Sequence, residues 1–125
     1  MIGVMAMKVY YYPTCNTCKK AMKWLDEKGI PYSKKHIVDS NLTYKEVEEI
    51  YKKSKLDVQK LFNTSGLVYR ELNLKDKLKE MDLQQKLELL ASNGMLLKRP
   101  LLVQESTVIV GFNKDLVETQ QAFQF

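Results

Sequence analysis

The sequence predicts an α/β domain whose two ends build one sheet and whose middle is helical. Three observations predict it. A strand-like run, Met7-Lys8-Val9-Tyr10-Tyr11-Tyr12, leads directly into a helical one. A stretch over about residues 42–97 carries helical periodicity and two helix-start signatures. Beyond it the composition returns to β-rich runs at Leu101-Leu102-Val103 and Thr107-Val108-Ile109-Val110.

The first helix is expected over Thr17 to Lys28, because Cys18, Ala21, Met22 and Leu25 fall on one face, Gly29 provides a left-handed stop and Pro31 blocks continuation. Trp24 lies beside that stripe and reads as half-buried packing. Tyr32 to Val38 reads as a second strand. It contains the single histidine, His36, to which no role is assigned, since a lone strand histidine is more often structural.

The helical block follows. Thr43 and Glu46 form a capping box, and Tyr44, Val47, Ile50 and Tyr51 give the inner face of a helix over Tyr44 to Lys53. Asp57 caps a short helix over Val58 to Phe62, halted around Asn63-Thr64-Ser65-Gly66. Leu67 to Lys79 reads as short helical turns or loop, with Tyr69 and Leu72 directed inward. Asp82 and Gln85 begin a further helix that points Leu83, Leu87, Leu90 and Ala91 at the core and ends at Asn93-Gly94. The two β-rich runs then form a hairpin around Gln104-Glu105-Ser106, Gly111 ends it, and Asn113 caps a last helix toward Phe125.

Composition narrows the function classes. A chain of 125 residues, 45% hydrophobic and 28% charged, fits one globular domain spanning 1–125 with a sizeable core. The apolar opening Met1 to Met7 is too short for a membrane span and lacks the basic leader of a signal peptide, so the expected location is cytoplasmic, with no membrane partner. The net charge of +5 is spread over separate lysine clusters interleaved with acids. That distribution suits solvated helix faces and argues against direct nucleic-acid binding. The chain is expected to be a monomer.

The chemistry is concentrated in Tyr12-Pro13-Thr14-Cys15-Asn16-Thr17-Cys18, which holds both cysteines of the sequence. Cys15 falls where a strand-to-loop turn meets a helix start, and the free N–H groups and positive dipole end of a first helical turn favour an anion there. A thiolate is such an anion, and it is the nucleophilic form of the side chain. Cys18, one turn along, is placed to attack a mixed disulfide on Cys15. Two other readings weigh less. A tetrahedral zinc site wants four Cys or His ligands, and only His36 remains, so no metal is expected. A structural bridge across two residues would constrain little of the unfolded chain.

A strand, a turn with Cys-x-x-Cys, and a helix opening a β-α-β unit, followed later by β-β-α, is the layout of a thioredoxin-like fold with an all-helical insertion. In such a layout Pro100 directly precedes the hairpin strand and lines the site; a cis Arg99-Pro100 bond would explain a proline there. Arg99 offers a guanidinium fork to an oxyanion or to a partner carboxylate, with a surface arginine flanking a strand as the competing reading. Thr14, Arg99 and Pro100 are the candidate substrate- or partner-binding residues.

Tyr12-Pro13-x-Cys15-x-x-Cys18-x-Lys20-Ala21, the Gly29-Ile30-Pro31 turn, Leu61 to Gly66, Tyr69-Arg70-Glu71-Leu72 and Lys98-Arg99-Pro100-Leu101 together resemble the bacterial ArsC/Spx family. The likeness is nearest to its small arsenate reductase-like and Spx/MgsR-like members. It implies the fold above with a cis proline at Pro100, but not one function, because a shared fold carries different sites. Its glutaredoxin-linked arsenate reductases use a nucleophile matched by Cys15, with three arginines around the oxyanion; only Arg99 matches one of them. Asn63 and the Gly111-Phe112-Asn113 segment stand where the others would lie. Its Spx-like regulators share the oxidisable pair and bind the C-terminal domain of the RNA polymerase α subunit. They carry a glycine where this chain has Leu56-Asp57. The expected function is thiol-disulfide exchange, with Cys15 as nucleophile and Cys18 resolving. No bound cofactor is expected; the reductant would be an external thiol system (glutathione with glutaredoxin, thioredoxin, or a bacillithiol-type thiol). The redox regulator and the arsenate reductase are the alternatives.

Overall fold

The computed structural model describes residues 7–112. They form two compact units, one built from residues 7–36 and 99–112, the other from Ile37–Lys98. The helix expected from Asn113 onward lies outside the described residues.

The first unit is a four-stranded sheet with one helix. Strand β1 (Lys8–Tyr11) leads through a turn into α1 (Asn16–Glu27), which returns to β2 (Ser33–His36); β3 (Leu101–Val103) and β4 (Val108–Val110) close the sheet. The strand order is β2-β1-β3-β4. β1 runs parallel to β2, with Val9 opposite Lys34, and antiparallel to β3, with Val9 opposite Leu102. β3 and β4 are antiparallel, as a hairpin requires. β2 is shorter than expected because, at the sheet edge, its one partner is the four-residue β1, and the pairing runs only from Lys8↔Ser33 to Tyr11↔His36.

Met7, Val9, Ala21, Trp24, Leu25 and Leu102 form the core of this unit, with Met22 and Ile109 partly buried against it. Burying a leucine or valine of this kind is worth roughly 1.5–3 kcal/mol. Trp24 is buried at 7% exposure, deeper than its position beside the stripe implies, so the inner face of α1 turns through Trp24 at Met22's expense. The helix stops where expected. Lys28 is its C-cap, Gly29 adopts φ 70°, and its N–H donates to the Asp26 carbonyl.

The second unit is helical. Its α2 (Tyr44–Ser54) starts with the full capping box: Thr43 Oγ1 accepts from the Glu46 N–H, and the Thr43 N–H donates to Glu46 Oε1 at 3.0 Å. A 3₁₀ turn over Val58–Leu61, capped by Asp57, follows. The difficult stretch resolves into α3 (Leu67–Glu71), α4 (Leu74–Lys77) and a 3₁₀ turn over Leu78–Glu80. Leu72 does not point inward; it is exposed, and Leu74 and Leu78 take the buried places. The cause is Asn73 at φ 52°, which breaks the helical path and rotates the second turn relative to the first. The next helix, α5 (Leu83–Ser92), has its capping box at Asp82 and Gln85, and buries Leu87 and Leu90. Leu83 is exposed, contrary to its expected place in the core, because the first turn of α5 precedes the packed face.

Gly94 opens a 3₁₀ turn over Gly94–Leu96 and passes the Ile37-Val38 backbone so closely that a Cβ would overlap the Ile37 carbonyl oxygen and lie 2.9 Å from Val38 Cα. Among the described residues, no helix is long and apolar enough to cross a membrane.

Candidate functional site

The site grows from the join between β1 and α1. The chain leaves β1 at Tyr12 and turns through Pro13 and Thr14, and the Cys15 N–H donates to the Tyr12 carbonyl at 3.0 Å. Cys15 is the N-cap of α1, in extended backbone conformation, and its sulfur accepts the Cys18 backbone N–H at 3.2 Å. A sulfur therefore takes the place that a serine or aspartate oxygen fills in most helix caps. One of the unpaired donors of the first turn is spent on it, and the dipole's positive end faces it.

The two cysteines differ in their surroundings. Both are unbridged; Cys15 is partly exposed and Cys18 is fully buried. Burial, foremost, and a hydrogen bond from its thiol to the Cys15 sulfur push Cys18 up to about 12. The Tyr12 backbone N–H on its sulfur and the charge of Arg99 act in the opposite direction and are outweighed. At neutral pH Cys18 is thus a protonated donor aimed at Cys15, and the solvent-accessible sulfur is that of Cys15.

Arg99 and Pro100 enter from the segment before β3. The Arg99-Pro100 bond is cis, as the family resemblance implies; Pro100 is buried, and its carbonyl accepts the Gly111 N–H at 2.8 Å. The Arg99 guanidinium lies over the ring of Tyr12, 4.8 Å from its centroid. Arg99 Nη1 is buried and has no hydrogen-bond partner among the described residues. Thr14 lies in the turn and is exposed. His36 places its ring edge-on to Tyr11 and Tyr12, with centroids 5.9 and 5.5 Å away. Among the described residues no group of three metal-binding side chains occurs.

The structure thus brings together Cys15, Cys18 and Arg99. Tyr12 was not marked as a site residue by the sequence, yet it touches all three through its carbonyl, its N–H and its ring. Its position three residues before Cys15, the reach of a turn hydrogen bond, was the available signal.

The model of the ArsC family matches residues 10–120, a span that takes in the cysteine pair, Arg99 and all four strands but the start of β1. This chain belongs to the ArsC family. Among its relatives, the ArsC-family chain is 49% identical over 118 residues to the uncharacterized protein YusI of Bacillus subtilis, covering 94% of this chain and all of that one. It is 34% identical to the global transcriptional regulator Spx of Listeria innocua, covering 86% of this chain and 80% of the regulator. The crystal structure of an ArsC-family-related protein from Bacteroides fragilis shares the fold with a TM-score of 0.88 at 46% identity, covering 94% of this chain and 98% of the other. The thioredoxin-like ArsC fold is therefore shared over nearly the full described length.

Proposed function

We propose that this ArsC-family chain is a thiol-disulfide oxidoreductase. The observation that carries the reading is the Cys15 sulfur acting as the N-cap of α1, with the buried, protonated thiol of Cys18 directed at it. The Cys15 thiolate attacks one sulfur of a partner disulfide, the Cys15–partner bond forms, and a partner thiolate leaves and takes up a proton. Cys18 then gives up its proton and attacks Cys15 Sγ, closing the Cys15–Cys18 bridge and releasing the second partner thiol. Two electrons pass from the cysteine pair to the partner. An external thiol system of the glutathione, thioredoxin or bacillithiol type returns them, so no bound cofactor is needed. Arg99, Pro100 and Thr14 line the approach to Cys15, and the chain acts in the cytoplasm as a monomer without nucleic-acid or membrane partners.

Cys18→Ser tests this reading. The variant should accumulate mixed disulfides on Cys15, and oxidised wild-type protein should carry a Cys15–Cys18 bridge that such a thiol system reduces. Absence of both the trapped species and the bridge would overturn it.

A second reading has its own support, the 34% identity to a global transcriptional regulator. In it the same pair is a redox switch on a protein that binds the C-terminal domain of the RNA polymerase α subunit. A pull-down with that subunit, on reduced and oxidised chain, separates the two: robust, redox-dependent capture selects the regulator. Arsenate reduction has the least support. Of the three arginines the family's arsenate reductases use, only Arg99 is matched in this sequence, and a small oxyanion dianion is held best by several multidentate donors.

A further inference from the structure

Tyr12 joins the three reactive groups of the site without being one of them. Its carbonyl accepts the Cys15 N–H, and its own N–H lies on the Cys18 sulfur. Its ring carries the Arg99 guanidinium at 4.8 Å. A guanidinium over an aromatic face is held by the ring quadrupole and by dispersion, neither of which consumes an N–H donor. Arg99 Nη1 is buried and without a hydrogen-bond partner among the described residues, and the charge of Arg99 acts on Cys18. The side chain as a whole is partly exposed, so the guanidinium can meet an arriving anion with charge-assisted hydrogen bonds from its accessible edge. Without the ring, a long arginine side chain would spread over several rotamers and offer the fork only part of the time.

We propose that Tyr12 is a positioning residue which holds the partly exposed Arg99 guanidinium in place for the anionic group of a disulfide whose sulfur Cys15 attacks, so that the site selects carboxylate-bearing disulfides over uncharged ones. The inference rests on the thiol-disulfide reading above and adds to it a substrate class and the residue that enforces it. The attacked S–S bond breaks, the Cys15–S bond forms, and the departing thiolate is protonated by solvent. Arg99 and Tyr12 take no part in the electron count. Their effect is on which disulfide is held long enough to react.

The test is a ratio. Reduced protein is mixed with 5,5′-dithiobis(2-nitrobenzoate), which carries carboxylates, and with uncharged 4,4′-dithiodipyridine, and the preference is the quotient of the two second-order rates. A change in folding or general thiol reactivity moves both rates together and leaves the quotient unchanged. Arg99→Gln should abolish the protein's preference for the carboxylate disulfide. Tyr12→Leu should reduce it by about fivefold, the worth of a partly buried cation–π contact. Tyr12→Phe, which keeps the ring, should preserve it, and the Tyr12→Leu/Arg99→Gln double variant should lose no more than Arg99→Gln alone.

Where Tyr12→Leu fails to fold, replacing Tyr12 by phenylalanines of increasing ring fluorination changes only the charge on the ring face, and the preference should fall stepwise along the series. A preference retained in Tyr12→Leu or flat along the fluorinated series, lost in Tyr12→Phe, or absent from the wild type overturns the proposal. Failure of the thiol-disulfide reading shows itself differently, as a wild-type protein that consumes either reagent without closing a Cys15–Cys18 bridge.

Discussion

The backbone N–H of Cys18 points at the sulfur of Cys15 from 3.2 Å, so the first cysteine caps the helix that carries the second. Charge on Cys15 is thereby met by a fixed donor that has no other intrahelical use. The same geometry directs the thiol of Cys18 toward the sulfur it would have to attack.

Alkylation should be selective. At pH 7 to 8, iodoacetamide should label Cys15 and leave Cys18 unmodified in the folded protein, because Cys18 is buried and its thiol ionises only near pH 12. Peptide mass mapping reads this directly. Equal labelling at both positions would contradict the burial of Cys18.

Stability of the reduced protein should fall as pH rises from about 9 toward about 12. Unfolded Cys18 ionises near its ordinary value of 9.0, whereas in the native state its pKa is raised to about 12. Over that window the native state holds the extra proton, so raising the pH favours unfolding; below it the contribution is constant. Urea midpoints of wild type and Cys18→Ala compared across the window should converge as pH rises, the comparison isolating the contribution of Cys18.

Loss of either capping box should destabilise the second unit. Thr43→Ala and Asp82→Ala each remove an acceptor for a first-turn N–H, and each should cost about 1 kcal/mol in urea unfolding. Replacing Glu46 by Ala should cost less, since the Thr43 hydroxyl still accepts from the backbone.

Three glycine-related substitutions should differ in sign and cause. Gly94→Ala should cost about 1–3 kcal/mol, because its Cβ meets the rigid Ile37-Val38 backbone. Gly29→Ala should cost about 1 kcal/mol from its positive φ alone, since nothing crowds it. Lys55→Gly should stabilise by about 1 kcal/mol, because a lysine there holds φ 58° at the end of α2. Denaturant melts of the three variants decide all of these.

What could be read from the sequence was local. Thr43 with Glu46, Asp82 with Gln85 and the Gly29 stop are arrangements within one turn, so the residues that make them are neighbours in the chain. Cys15 and Cys18 were legible for the same reason. The expectations about Leu72 and Leu83 failed because exposure depends on what packs against a helix: Asn73 redirects the chain after Leu72, and Leu83 precedes the packed turns of α5. Tyr12 was missed because the feature that distinguishes it is an arginine from the far end of the chain stacked on its ring. No periodicity or spacing encodes that contact.

The strand leading into the cysteines pairs on one side with β2, close by in sequence, and on the other with β3, so that Val9 meets Leu102 with most of the chain between them. During synthesis the cysteine pair therefore leaves the ribosome long before Leu101–Val103 exists to complete the sheet beside it. Contacts spanning such separations form late. Until that strand is made, one edge of β1 has no partner, and the sheet beside the cysteines is completed only when most of the chain has been synthesised.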